Sequence, residues 1–145
     1  MPVLIRNNQN RHRIETARTK NRAKAVLDAL GFPDAELSLM FVDDEEMANL
    51  NALYLGREGP TNVLAFPQLE GDHPETTREL LGDVVISADT AAAEAEEAGI
   101  SVEQRVFELM VHGILHLVGY DHGEETEAGE MEARADELAH LFGRG

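Results

Sequence analysis

Apolar residues recur along the 145-residue chain in two rhythms, and the switches between them outline the elements. Pro2-Val3-Leu4-Ile5 reads as a short first strand. From about Ile14 to Leu30, the residues Ile14, Ala17, Val26 and Leu30 fall on a helical stripe, stopped by Gly31 and then Pro33. ELSLMFVDD alternates instead, with Leu37, Leu39 and Phe41 on one face and Met40 and Val42 on the other. Asp43 or Asp44 then caps a helix holding Met47, Leu50 and Tyr54, which closes near Gly56. The loop GREGPTN leads into a strand, VLAFP, and a second polar loop runs from Pro67 to Leu80. LLGDVVISAD is the strongest strand pattern in the chain. Ala91 to Ala98 is helical by propensity and ends at Gly99. Ser101 with Gln104 forms a capping box for a helix carrying Val102, Val106, Leu109, Gly113 and Leu117. A last helix, about Glu125 to Phe142, puts Met131, Ala135, Leu138 and Phe142 on one side. The order β-α-β-α-β-β-α-α-α predicts α+β: one domain over residues 1–145, with about four strands in a small mixed sheet and about five helices.

Composition narrows the classes. The chain is 43% hydrophobic and 28% charged, as soluble globular domains are, and no apolar run approaches the roughly 18 residues of a membrane helix. The start, MPVLIRNNQNRHR, lacks the basic-then-apolar design of a signal peptide. With no cysteine there is no disulfide framework and no thiolate site; cytoplasmic residence is the plain expectation, although a lack of cysteine by itself also suits a periplasmic protein. The net charge of −16 argues at first against nucleic acid, since phosphate contacts need Lys and Arg. Its distribution tempers that: residues 1–24 hold seven bases against one acid, Glu15. That segment is either a solvated helix face or a partner surface.

Chemistry concentrates in VHGILHLVGYDHGEE, where three of the six histidines stand as H-x3-H-x5-H. His112 and His116 lie four apart on a predicted helix, so their Cβ atoms are about 5–6 Å apart on one face. A continuing helix would carry His122 past any ion held there. Gly119 tolerates the left-handed conformation that turns the chain and brings His122 back. Three imidazoles leave the fourth tetrahedral position for water, which is the pattern of catalytic zinc. Asp121 is either an acceptor for a ligand's free N–H or simply an acidic turn residue. Position 113 is glycine where H-E-x-x-H proteases have their glutamate base, so peptide hydrolysis by that route is not expected. A metal can still lower the pKa of water to about 7 and polarise a phosphoryl oxygen, which suits phosphodiester chemistry better. Imidazole also suits other divalent transition metals, so zinc is the expectation and not the sole candidate.

HGILHLVGYDH, together with GPTNVLAFP and LLGDVVISAD upstream, resembles the bacterial YbeY family of rRNA-processing endoribonucleases over roughly Asn49 to Met131. The resemblance implies an α+β fold with a zincin-like site and one Zn2+ on His112, His116 and His122. It further implies single-strand-specific cleavage in maturation of small-subunit (16S) rRNA, ribosome quality control, and a cytoplasmic location. Its partners would be rRNA or the small ribosomal subunit, with ribosomal proteins as further candidates; neither membrane nor DNA is expected. The chain departs from the family pattern Y-R-G-x-D-K-P-T at two cations, having Leu55 for the arginine and Gly59 for the lysine. Arg57, two residues on, either reaches the same phosphate or is an exposed loop arginine. Asp83 stands at the family's Gly-Asp pair, where it orients the site or caps a turn and is not expected to be a ligand. Two other readings remain: a ribosome-assembly binding factor with a structural or weakly catalytic metal, and a metal-dependent hydrolase of another substrate.

Overall fold

The computed structural model describes residues 3–67, 80–119 and 133–139. Its elements are β1 (Val3–Asn7), α1 (Thr16–Ala29), β2 (Glu36–Val42), α2 (Asp44–Leu55), β3 (Val63–Pro67), β4 (Leu80–Ser87), α3 (Ala88–Ala98) and α4 (Val102–Leu117). Residues 133–139 are also helical. The strands form one sheet in the order β1-β2-β4-β3, in which β1, β2 and β4 run parallel and β3 antiparallel to β4. This is the expected single α+β domain with a mixed four-stranded sheet. The expected loop from Pro67 to Leu80, and the flanks of the last helix, lie largely outside the described residues.

Both faces of the sheet carry buried apolar residues, densely on one side and at Val42 and Val85 on the other. Leu37, Leu39, Phe41, Val84 and Ile86 join a large core with Ala23, Val26 and Leu27 of α1 and Phe107, Met110 and Ile114 of α4. Leu138 is buried in the same core. On the opposite face Val42, Val85 and Leu64 pack against Met47 of α2. Each such side chain removed from water contributes about 1.5–3 kcal/mol relative to exposure.

Two details differ from the sequence pattern. The buried stripe of α1 runs through Thr19, Ala23, Val26 and Leu27, and Ala17 is exposed. Stepping back four residues from Ala23 reaches Thr19, and the Thr19 hydroxyl satisfies itself by donating to the Glu15 carbonyl at 2.9 Å. α3 begins at Ala88, three residues earlier than expected, because buried Ser87 closes β4 and caps the helix directly, its Oγ accepting from Thr90 N at 3.2 Å. A third feature, invisible in the periodicity, lies in β4. Leu81 is an extra residue between the pairs Glu36–Leu80 and Leu37–Gly82. Gly82 has φ +138°, and a Cβ on it would stand 2.2 Å from the Phe66 carbonyl oxygen. Only glycine lets β3 lie this close at the bulge.

The carboxyl ends of β2 and β4 are tied together by acids. Asp43 caps α2, accepting from Glu46 N at 2.9 Å. Asp44 accepts from the hydroxyls of Ser87 and Thr90, each at 2.6 Å. Asp89 accepts from the Asp44 backbone N–H at 2.9 Å, lies 2.9 Å from His12 Nε2 and pairs with Arg11 at 3.3 Å. The Asp44 backbone bond foremost, then His12 and Arg11, hold the Asp89 carboxyl below its ordinary pKa of 3.8 despite its burial. A depressed carboxyl adds stability above its unfolded pKa and loses it as pH falls through the folded one. Asp89→Asn is therefore expected to lower stability near neutrality, with the gap to the parent closing below pH 3.8, as urea unfolding across pH will read.

Candidate active site

α4 is enclosed on most of its circumference. Between Leu109 and Leu115 every residue is buried except His112, and exposed His116 follows one turn later. Ser101 starts the helix, accepting from Gln104 N at 3.0 Å, and Gly119 turns the chain with φ +111° just after it ends. The side of α4 left open by the core thus carries Arg105, His112 and His116.

That strip faces a cleft of about 670 Å³ at the β3 edge. Arg105, His112 and His116 line it from α4, Phe66 from β3, and Leu55 and Arg57 from the end of α2 and the loop beyond. His112 and His116 thus border one space, and Arg57 borders it too. Arg57 is exposed, and among the described residues nothing pairs with its guanidinium. Asp121 and His122 lie outside the described residues. Among those described, no three His, Asp or Glu side chains are gathered as a metal set. Asp83 is not in the cleft lining; it lies on β4 opposite Phe66. Two imidazoles one helical turn apart supply two of the three nitrogens that a three-histidine set would need.

Gly113 answers why no glutamate follows the first histidine. A Cβ on Gly113 would stand 2.6 Å from Val84 Cγ1 and 3.0 Å from Cγ2. Position 113 is where α4 presses against β4, so a glutamate there would have to displace the helix. The glycine is a packing requirement, and the third reading, hydrolysis of another substrate such as a peptide, has no base at this position.

The loop opposite α4 is held by residues that sequence reasoning did not single out. Asn51 is buried on α2; its amide donates to the Gly59 carbonyl at 2.9 Å and its carbonyl carries the Arg57 backbone N–H at 3.3 Å. Its side-chain oxygen is buried without a partner among the described residues. The far end of the loop is fixed by Ser87 N donating to the Asn62 carbonyl at 3.0 Å, and by the Asn62 amide, 3.3 Å from both oxygens of Glu94. Glu94 also accepts from Arg105 at 3.0 Å, and Glu108 does so at 2.8 Å. Burial disfavours the charge on Arg105, but the bonds to Glu108 and Glu94 outweigh it and hold its pKa above the ordinary value. The signals were present: Asn51 is a polar residue on the Met47–Leu50 stripe, and Arg105 is two turns before His112. Gly59 has φ +82°, so a lysine at this position in the present backbone would be strained.

Comparison with known proteins gives this α+β domain its class, that of hydrolases that cleave RNA. The family model described as Endoribonuclease YbeY matches residues 4–143. The chain is 48% identical to the Endoribonuclease YbeY of Geobacter sulfurreducens, over 100% of this chain and 98% of the relative. It is 46% identical to that of Geobacter metallireducens, over 99% and 97% respectively. The solution structure of TM1509 from Thermotoga maritima shares the fold, with a TM-score of 0.61 at 22% identity over 96% of this chain and 90% of that one. The chain belongs to the YbeY endoribonuclease family.

The Gly113 contact generates a test. Alanine raises helix propensity by about 1 kcal/mol, whereas overpacking costs about 1–3 kcal/mol. Val84 is β-branched and fully buried, with little freedom to give way. Gly113→Ala is expected to be destabilised by up to ~2 kcal/mol net in urea unfolding, with reduced RNA cleavage as His112 and His116 shift together.

Proposed function

We propose that this endoribonuclease is metal-dependent and single-strand-specific, and acts in maturation and quality control of small-subunit rRNA in the cytoplasm. His112, His116 and His122 would hold one divalent ion, zinc foremost, with Asp121 as an acceptor for a ligand's N–H. The observation that supports this most is the pair His112 and His116, one turn apart on the open side of an otherwise enclosed helix and lining one cleft with Arg57. The bound ion would supply positive charge at a phosphoryl oxygen and acidify water. The protein's share is to orient the imidazoles by the rigidity of α4, and to hold a neighbouring phosphate with Arg57. Asn51 keeps the Arg57 loop against the cleft. No helix among the described residues is long and apolar enough to cross a membrane.

A second reading, a ribosome-assembly binding factor, draws on particular residues. Leu55 is 48% exposed where the family pattern has arginine. Arg11, Arg13, Arg18 and Arg22, four of the seven bases in residues 1–24, are already paired with Asp89, Glu15 or Glu103. An acidic body with few open cations suits basic ribosomal proteins. Ribosome association that survives metal removal would favour it.

Elemental analysis and cleavage assays separate the readings. His116→Ala is expected to lose about one equivalent of bound metal and RNA cleavage together while keeping its fold, as circular dichroism will check. Equal cutting of structured rRNA by parent and variant would instead reveal a contaminating nuclease. Arg57→Ala is expected to weaken RNA binding and lower its salt dependence by about one counterion. Leu55→Arg is expected to strengthen binding in the same titrations. Unchanged affinity for Arg57→Ala overturns the phosphate role of this residue.

A further inference from the structure

We propose that Tyr54 and Phe66 form a stacking platform for an unpaired base of the RNA whose backbone occupies the cleft. The proposal rests on the endoribonuclease reading and adds a base-recognition subsite to it. Tyr54 stands in the last turn of α2, where the helical stripe Met47–Leu50–Tyr54 would place a core residue; it is instead 61% exposed. Its ring meets Phe66 at a centroid distance of 5.3 Å and an interplanar angle of 61°. An edge-to-face contact of this kind fixes the tyrosine ring while leaving it largely open to solvent.

The position gives the pair its use. Phe66 lines the cleft that His112 and His116 also line, and Leu55, beside Tyr54 in sequence, lines it too. The rim from Leu55 through Phe66 to Tyr54 is thus continuous with the cleft. Arg57 is close by on the loop that leaves α2, so a cation for a phosphate and an aromatic surface for a base sit on the same wall. Leu55 puts an aliphatic side chain, 48% exposed, where the family pattern has a cation, which makes this part of the wall apolar. Apolar and aromatic surface beside an RNA-cleaving cleft matches the face of a base and not a phosphate. Unstacked bases are available only in single strands, loops and bulges, so a platform here would also select against duplex.

Phe66 is held for the purpose by β4. The bulge at Gly82 brings its backbone against the Phe66 carbonyl, and Phe66 packs partly on the core of the α2 face. Tyr54 therefore rests on an anchored ring. A protein partner is the competing occupant, since Leu53 is 73% exposed on the same helix end. Stacking needs only an aromatic ring at position 54, whereas protein docking would engage the wider Leu53–Tyr54–Leu55 surface.

The test uses the purified full chain and a 2′-O-methyl oligoadenylate nonamer, checked by electrophoresis to be intact after binding, with the same backbone bearing abasic residues as control. Tyr54→Ala is expected to bind the nonamer about tenfold more weakly and the abasic strand unchanged. Tyr54→Phe is expected to restore binding. The chain has no tryptophan, so Tyr54→Trp introduces a single indole, expected to be quenched by the nonamer and not by the abasic strand. Equal nonamer binding by Tyr54→Ala, or an indole indifferent to it, overturns the platform even if RNA cleavage is intact. Failure of the parent to bind or cleave any RNA overturns the underlying reading instead. Loss of binding to a purified ribosomal protein on Tyr54→Ala, with the nonamer unaffected, assigns the surface to a protein partner and overturns the platform.

Discussion

The close approach of α4 to β4 at Gly113 and Val84 governs the rest of the molecule. One missing Cβ lets the helix sink onto the sheet until valine methyls fill the glycine's place. From that contact follow the burial of nearly every residue between Leu109 and Leu115 and the direction of the strip left over. Histidines on a surface helix would be free to adopt many rotamers and the helix free to rock. Here the helix is packed against the sheet, α1 and α3, and the strip that emerges is set by packing and not by the histidines themselves. The same glycine removes the base that an H-E-x-x-H enzyme needs, so structure and chemistry are decided by one residue.

The facing wall is built differently. The segment after α2 is held at a few points, by Asn51 to Gly59 and by Asn62 to Ser87 and Glu94, while residues 52–60 are exposed throughout. The sheet supplies the frame between the walls. Its bulge at Gly82 presses β4 on β3, and the acid network of Asp43, Asp44 and Asp89 fastens the start of α2 to the ends of β2 and β4. α2 is thereby fixed at one end by caps and on one side by Met47, and its last turn carries Leu55 to the cleft and Tyr54 onto Phe66.

Much of this was readable from residue patterns. Alternation in ELSLMFV and the run LLGDVVIS specified two strands, and Asp43, Ser101, Gly56 and Gly99 marked helix ends that the backbone reproduces. The spacing of His112 and His116 placed both on one face because helical geometry is fixed by sequence distance. What could not be read depends on contacts distant in sequence. Whether Ala17 or Thr19 faces the core turns on where α1 meets the sheet. Tyr54 satisfied the helical stripe yet is exposed, since the apolar face of α2 needs only Met47 and Leu50 to cover Val42, Val85 and Leu64. Asn51 looked like any polar helix residue until its partner, the Gly59 carbonyl, was seen. The role of Gly113 was legible only as an absence, the missing glutamate; its cause was Val84, on β4.

The contrast between the two walls bears on how such an enzyme diversifies. One side is locked into the interior, so almost any replacement there endangers the whole domain. The other side is a solvent-facing stretch whose residues 52–60 meet few constraints. Substitution therefore has an asymmetric outlet: side chains can change along the exposed stretch without disturbing the packing of α4. Leu55 and Gly59, the two departures from the family pattern Y-R-G-x-D-K-P-T, both lie on that open side.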